Sequence, residues 1–256
     1  MIQLFTKQPS QWREPILETD VIRGFIENVE ANGLRVVFSH DSYLINLASP
    51  DPVLSERSTR AFEAELKRCR ALKIPGLVSH PGNYIQGRSK GLKRNARSYT
   101  RCLRAVPGVA VLLENTAGGG TSLGSRFEEL AELRDRIGED VRDRVGFCLD
   151  TCHLWSAGYD LVRDYDAVWS EWDRIVGFAH LRCLHLNDSK TPFGSRRDRH
   201  EWIGEGALGP EPFRRIMRDP RFREVPKLIE TPKGDDWLIH DRRMLRRLRS
   251  YARLAR

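Results

Sequence analysis

The feature that most constrains the fold is a repeat of apolar segments that each end on a residue able to bind a metal. Seven short apolar runs occur, at residues 2–6, 34–40, 76–80, 109–115, 145–150, 181–187 and 227–231. Continuous runs of this length suit strands buried on both faces. The strand ends in six of them fall at His40, His80, Glu114, Asp150, His185 and Glu230, the last residue of the run or one or two before it, in steps of 40, 34, 36, 35 and 45 residues. A step near 35 is one strand–helix unit, and a TIM barrel has eight of these in ~250 residues. Helical patterns fill the intervals, at 19–32, 55–72, 92–103, 127–137, 165–178, 211–217 and 237–254. Gly33 is positioned to stop the first, and Phe62, Leu66 and Cys69 mark the apolar face of the second. Alternating strands and helices predict parallel strands with right-handed crossovers. No linker or low-complexity segment divides the 256 residues. The expected fold is a single-domain α/β barrel of the TIM (β/α)8 type, with seven of its strands visible.

In a parallel barrel the C-terminal strand ends form one face, and the active site is built there. Six residues distant in sequence are therefore expected to converge. Three more candidates lie just past strand ends: His153 in Asp150-Thr-Cys-His153, and Asp198 and His200 in Asp198-Arg-His200. Five of the seven histidines belong to this set, and His180 and His240 read as structural or surface residues. Mixed imidazole and carboxylate donors suit zinc, with manganese or iron as weaker options. Nine such residues exceed what one tetrahedral ion can use, which implies two or three ions. Clusters of that kind hydrolyse phosphate esters.

The net charge of +8 comes mainly from 35 arginines against 8 lysines. Arginine's planar fork suits phosphate, and a basic chain suits a polyanionic partner. The five cysteines are odd in number and include no CxxC pair, so neither a disulfide framework nor a thiolate zinc site is expected. Cys148 and Cys152 are expected on a strand and the turn after it. No apolar run reaches the ~18–20 residues of a membrane span. Residues 1–12 lack the pattern of a signal peptide. The reading is a cytoplasmic protein with no membrane partner.

The motifs together resemble the bacterial endonuclease IV family. The matching segments are His40-Asp-Ser-Tyr-Leu-Ile-Asn-Leu47, His80-Pro-Gly82, Glu114-Asn-Thr-Ala-Gly118, Leu149-Asp-Thr-Cys-His153, Ala157-Gly-Tyr-Asp160 and Leu184-His-Leu-Asn-Asp188. Phe193-Gly-Ser-Arg196, Asp198-Arg-His200, Gly204-Glu-Gly206 and Glu230-Thr231 complete them in family order. The resemblance implies a TIM barrel with three zinc ions on nine ligands. His40, His80 and Glu114 would hold the first ion. Glu114 would bridge to a second, held also by Asp150, His185 and Glu230. The third would sit on His153, Asp198 and His200. The implied reaction is hydrolysis of the phosphodiester 5′ to an abasic site in double-stranded DNA, with trimming of blocked 3′ ends. Glu230 and Glu114 would be the catalytic carboxylates, with Glu230 orienting or deprotonating the attacking water. Tyr43 and Leu44 match the family's wedge residues, and Arg196 is expected to contact DNA.

Two departures from the family accompany the match. The chain opens where the family's second strand begins, so the first strand–helix unit is expected to be missing and a strand edge to be open. A complete barrel would be expected to act as a monomer. Ser10 stands where the family usually places an arginine used on DNA. Two other readings share the fold or the chain. One is a divalent-metal sugar isomerase or epimerase, against which the third ligand set and the basic charge argue. The other is an inactive truncated DNA-binding product, against which the nine intact ligand positions argue.

Overall fold

The computed structural model describes residues Met1–Arg253. It divides into two compact units. The first comprises Met1–Glu114, Thr121–Gly124 and Glu129–Phe147, and the second comprises the short intervening segments and the chain from Cys148 onward.

In the first unit β1 (Ile2–Leu4), α1 (Thr19–Ala31), β2 (Val37–His40), α2 (Pro52–Ala71), β3 (Gly76–Ser79), α3 (Arg88–Ala105) and β4 (Ala110–Glu114) follow one another. The strands pair in parallel in chain order, with Ser39 opposite Leu77 and Leu77 opposite Val111. Every residue of β2 and β3 is buried, as the continuous apolar runs predict. Gly76 has a packing reason, since a Cβ there would meet Leu112 Cδ1 at 2.9 Å and Phe38 at 3.0 Å. Helix α1 ends as expected at Gly33, whose φ of 60° reverses the chain. Helix α2 starts three residues earlier than its apolar periodicity suggests. Asp51 caps it by accepting from Leu54 N at 2.7 Å, and Pro52 occupies the first turn. Its inward face carries Phe62, Leu66 and Cys69, all fully buried. Helix α3 likewise begins before 92, in a polar first turn that no hydrophobic period marks. After β4 come α4 (Phe127–Arg136) and the unforeseen short α5 (Glu139–Arg142), and then β5 (Val145–Asp150).

The second unit opens on the last residues of β5. It continues with α6 (Thr151–Ala157), α7 (Tyr165–Ile175), β6 (Leu181–His185), β7 (Asp188–Ser189), β8 (His200–Glu201), α8 (Glu211–Arg218), β9 (Lys227–Leu228) and α9 (Trp237–Tyr251). β6 and β9 pair in parallel, with His185 opposite Leu228. β7 and β8 form an antiparallel ribbon in which Ser189 faces His200. Cys152 lies on helix α6 and not on a turn, because Asp150 caps a helix that starts at the very next residue. α7 stops at Ile175, short of the expected 178, and Gly177 at φ 93° starts a separate 3-10 turn. Residue 254, the expected end of the last helix, lies outside the described residues. An aromatic core joins these elements: Trp169 meets Phe222 edge-on at 4.6 Å, and Phe127 meets Trp172 at 5.1 Å. Among the described residues, no helix is long and apolar enough to cross a membrane.

Candidate metal centre

Ligand-type side chains gather at the strand ends and in the segments just past them. In the first unit, His40 is the last residue of β2, His80 follows β3 and Glu114 ends β4. Their donor atoms lie within 4.8 Å of one another. His40 Nε2 is 3.0 Å and His80 Nε2 3.6 Å from Glu114 Oε2. Glu114 is fully buried, while His80 keeps 35% of its side chain open. Behind His40 lies a polar stack in which Tyr99 hydrogen-bonds Ser79, and Ser79 Oγ donates to Asp41 Oδ2 at 2.6 Å. Burial pushes the Asp41 carboxyl up to about 7, against the opposing pull of His40 and Ser79.

In the second unit, Asp150, His185 and Glu230 form one group, Asp150, His153 and His200 a second, and Cys152, Asp198 and His200 a third, so that the expected set His153, Asp198 and His200 is spread over two overlapping groups. His185 Nδ1 is 3.2 Å from Glu230 Oε2. Asp198 lies between two imidazoles, with His153 Nε2 and His200 Nε2 each 3.1 Å from its oxygens. His200 Nε2 is also 3.6 Å from Asp150 Oδ2. Burial would raise Asp198, but hydrogen bonds from His153 and His200 hold it well below the usual carboxylate range. Burial would lower His200, but the Asp150 carboxylate and the Asp198 hydrogen bond lift it to about 9.

Local structure explains these positions. Asp150 Oδ1 accepts from His153 N at 2.9 Å, so one carboxylate caps α6 and sets the direction of the histidine on its first turn. The β7–β8 ribbon carries His200 back toward Asp150. Its return loop is gathered on the buried Asp188 carboxylate, which accepts from the backbone N–H groups of Ser189, Gly204, Gly206 and Leu208. Asn115 and Asn187 fall within the matching motifs, but the sequence assigns them no role. Asn115 Oδ1 accepts from Asp150 N at 2.6 Å, and Asn187 Nδ2 donates to Asp150 Oδ2 at 2.5 Å. Asn187 Oδ1 also accepts from Glu230 N at 2.8 Å.

The ring nitrogens follow a pattern. Nδ1 of His40, His153 and His200 lies 2.9, 2.9 and 3.1 Å from the backbone carbonyls of Asp41, Asn115 and Glu230. A proton on Nδ1 leaves the Nε2 lone pair to face the carboxylates, as a metal ligand requires. The donor set, imidazole plus carboxylate, suits a divalent ion of intermediate softness. Besides the nine expected residues, the sulfurs of Cys148 and Cys183 and a ring nitrogen of His185 lie within 4.8 Å of one another. Both cysteines are free and fully buried.

Of the residues expected on DNA, Tyr43 is 68% exposed with its ring 5.3 Å from Phe5. Leu44 is half-buried beside it. Ser42 Oγ donates to Pro9 O at 2.6 Å and so ties this loop to the one carrying Ser10. Arg196 is exposed in a left-handed conformation, φ 56°, with its N–H donating to Ser156 O. His180 is partly buried, and His240 stacks on Trp202 at 4.6 Å, consistent with structural roles.

Residues 1–248 match the family model described as xylose isomerase-like TIM barrel. A probable endonuclease 4 of Chloroflexus aggregans is 47% identical, over 99% of this chain and 89% of its own length. One from Geobacter sulfurreducens is also 47% identical, over 92% of this chain and 81% of its own. The solved endonuclease IV of Thermus thermophilus superposes with a TM-score of 0.86 at 35% identity, covering 97% of this chain and 87% of that one. A D-tagatose 3-epimerase-like protein, at 17% identity and a TM-score of 0.64, shares the fold alone. The chain is thus a TIM-barrel protein, and it belongs to the endonuclease IV family.

Proposed function

We propose that this member of the family is a three-zinc DNA repair endonuclease that hydrolyses the phosphodiester 5′ to abasic sites in duplex DNA. The products are a 3′-hydroxyl and a 5′-deoxyribose phosphate. One observation carries the zinc reading: all nine ligand-type residues fall into groups whose donor atoms lie within reach of one ion. Three of the histidines in them have Nδ1 on a backbone carbonyl, which frees Nε2 for a ligand bond.

Zinc bound there supplies Lewis acidity and lowers the pKa of water from 15.7 toward ~7. The chain's own residues do the rest. Asp150 and His185 are fully buried, whereas Glu230 keeps 28% of its side chain open. Glu230 is therefore the carboxylate of its group that can meet an incoming water and take its proton as the oxygen attacks phosphorus. Asn187 holds Asp150 and the Glu230 backbone in register for that transfer. Tyr43, exposed on the loop after β2, and Leu44 beside it enter the duplex where a base is missing, a role that the exposure of Tyr43 supports. The cost of kinking there is reduced by the lost stacking. The arginine-rich surface supplies phosphate contacts that do not depend on sequence.

Elemental analysis of protein dialysed without chelator is expected to give three zincs per chain. The protein should incise an abasic duplex to a 3′-hydroxyl and leave an undamaged duplex intact. One ion or none, or epimerisation of a ketose with no DNA cleaved, would overturn the reading.

A further inference from the structure

His185 departs from the orientation of the other ligand histidines. His40, His153 and His200 direct Nε2 at carboxylates and Nδ1 at a backbone carbonyl. His185 instead turns Nδ1 to a carboxylate, Glu230 Oε2 at 3.2 Å. If Nδ1 is the ligand atom, the ring proton sits on Nε2 and needs an acceptor.

Sequence period explains what lies on that side. Successive side chains on a strand alternate between faces, so residues two apart share one. Cys148 stands two residues before Asp150 on β5, and Cys183 two before His185 on β6. Both thiols therefore belong to the layer directly beneath the ligands. Their sulfurs lie within 4.8 Å of each other and of a His185 ring nitrogen, and all three residues are fully buried.

The geometry points to Cys148 and Cys183 as positioning residues whose sulfurs accept a hydrogen bond from the Nε2–H of His185 and so commit Nδ1 to the metal. This rests on the zinc reading above. The sulfur pair does for His185 what backbone carbonyls do for His40, His153 and His200. It fixes both the tautomer and the rotation of the ring.

The first measurement uses the wild-type chain loaded with zinc and labelled with 15N-histidine. His185 is expected to show a protonated Nε2 and a metal-bound Nδ1, the inverse of His40, His153 and His200. The opposite tautomer at His185, with three zincs present, overturns the inference and leaves the zinc reading standing. Fewer than three zincs in the same sample counts against the zinc reading itself. The second measurement is zinc release to a chelator. The double change Cys148→Ala, Cys183→Ala should release one of the three zincs roughly ten- to a hundredfold faster, the usual effect of losing such a partner. The double change Cys148→Ser, Cys183→Ser keeps an acceptor and should release it at near the wild-type rate. Equal release from the alanine and serine variants would mean that the cysteines only pack. Should the alanine variant fail to fold, the wild-type tautomer still decides.

Discussion

Replacing Asn187 with alanine tests how the second ligand group is held. The Asn187 backbone stays anchored, because Thr151 Oγ1 bonds both its N–H and its carbonyl. The loss is therefore that of the side chain alone. It includes a hydrogen bond to the Asp150 carboxylate, worth about 1.5–3 kcal/mol, and one from Glu230 N, worth about 0.5–1.5 kcal/mol. Metal-free protein should thus lose about 2–4.5 kcal/mol. At roughly 2–4 °C per kcal/mol for a chain of this size, the melting temperature should fall by about 10 °C. Asn187→Asp retains the acceptor for Glu230 N but sets a second carboxylate against Asp150 Oδ2. It should be worse than alanine at neutral pH and recover as acid protonates the pair. Urea melts of metal-free protein read the stability, and zinc retention under dialysis reads the ligands. A stability loss under about 1 kcal/mol for Asn187→Ala, with zinc retention unchanged, would show that Asn187 does not support Asp150 and Glu230.

Other outcomes follow from the same geometry. Glu230→Gln should abolish incision while abasic-DNA binding persists; a rate within tenfold of wild type, under ~1.4 kcal/mol of barrier, would remove Glu230 from its role. The double change Tyr43→Ala, Leu44→Ala should weaken binding to abasic duplex far more than to undamaged duplex, with zinc content unchanged; equal weakening at one salt concentration would leave the loop no part in lesion choice. In metal-free protein, His200 is lifted from 6.5 to about 9, so its contribution to stability is complete below 6.5 and disappears as pH rises through 9. His200→Ala should flatten that part of the pH–stability curve; an unchanged slope would assign it to other groups.

The positions of the strands and ligands are legible in the sequence because both follow from one rule: in a parallel barrel the functional side chains stand where strands end. His40, Glu114, Asp150 and His185 are the last residues of their strands, as the apolar runs imply. Other features leave weaker traces. Helix α6 spans seven residues and begins with no linker after β5, and its cap is itself a ligand, so no separate start signal exists. The two-residue strands of the β7–β8 ribbon are too short to show alternation. Asn115 and Asn187 carry residue types equally at home in turns. Spacing along the chain cannot show that Cys148 and Cys183 meet from different strands.

The double duty of Asp150 also bears on how the ligands come together as the chain folds. Asp150 and His153 are three residues apart and meet when a single helical turn closes. Their partners His185 and Glu230 lie 35 and 80 residues beyond Asp150, and each such contact must overcome the entropy of a long loop. Of the contacts that Asp150 makes in the centre, the shortest in sequence is therefore the one to His153 on a nascent helix. An insertion of one residue between them would cost the helix its cap and the centre two ligands at once, whereas a lengthened loop at 161–164, ahead of α7, would leave the pair intact.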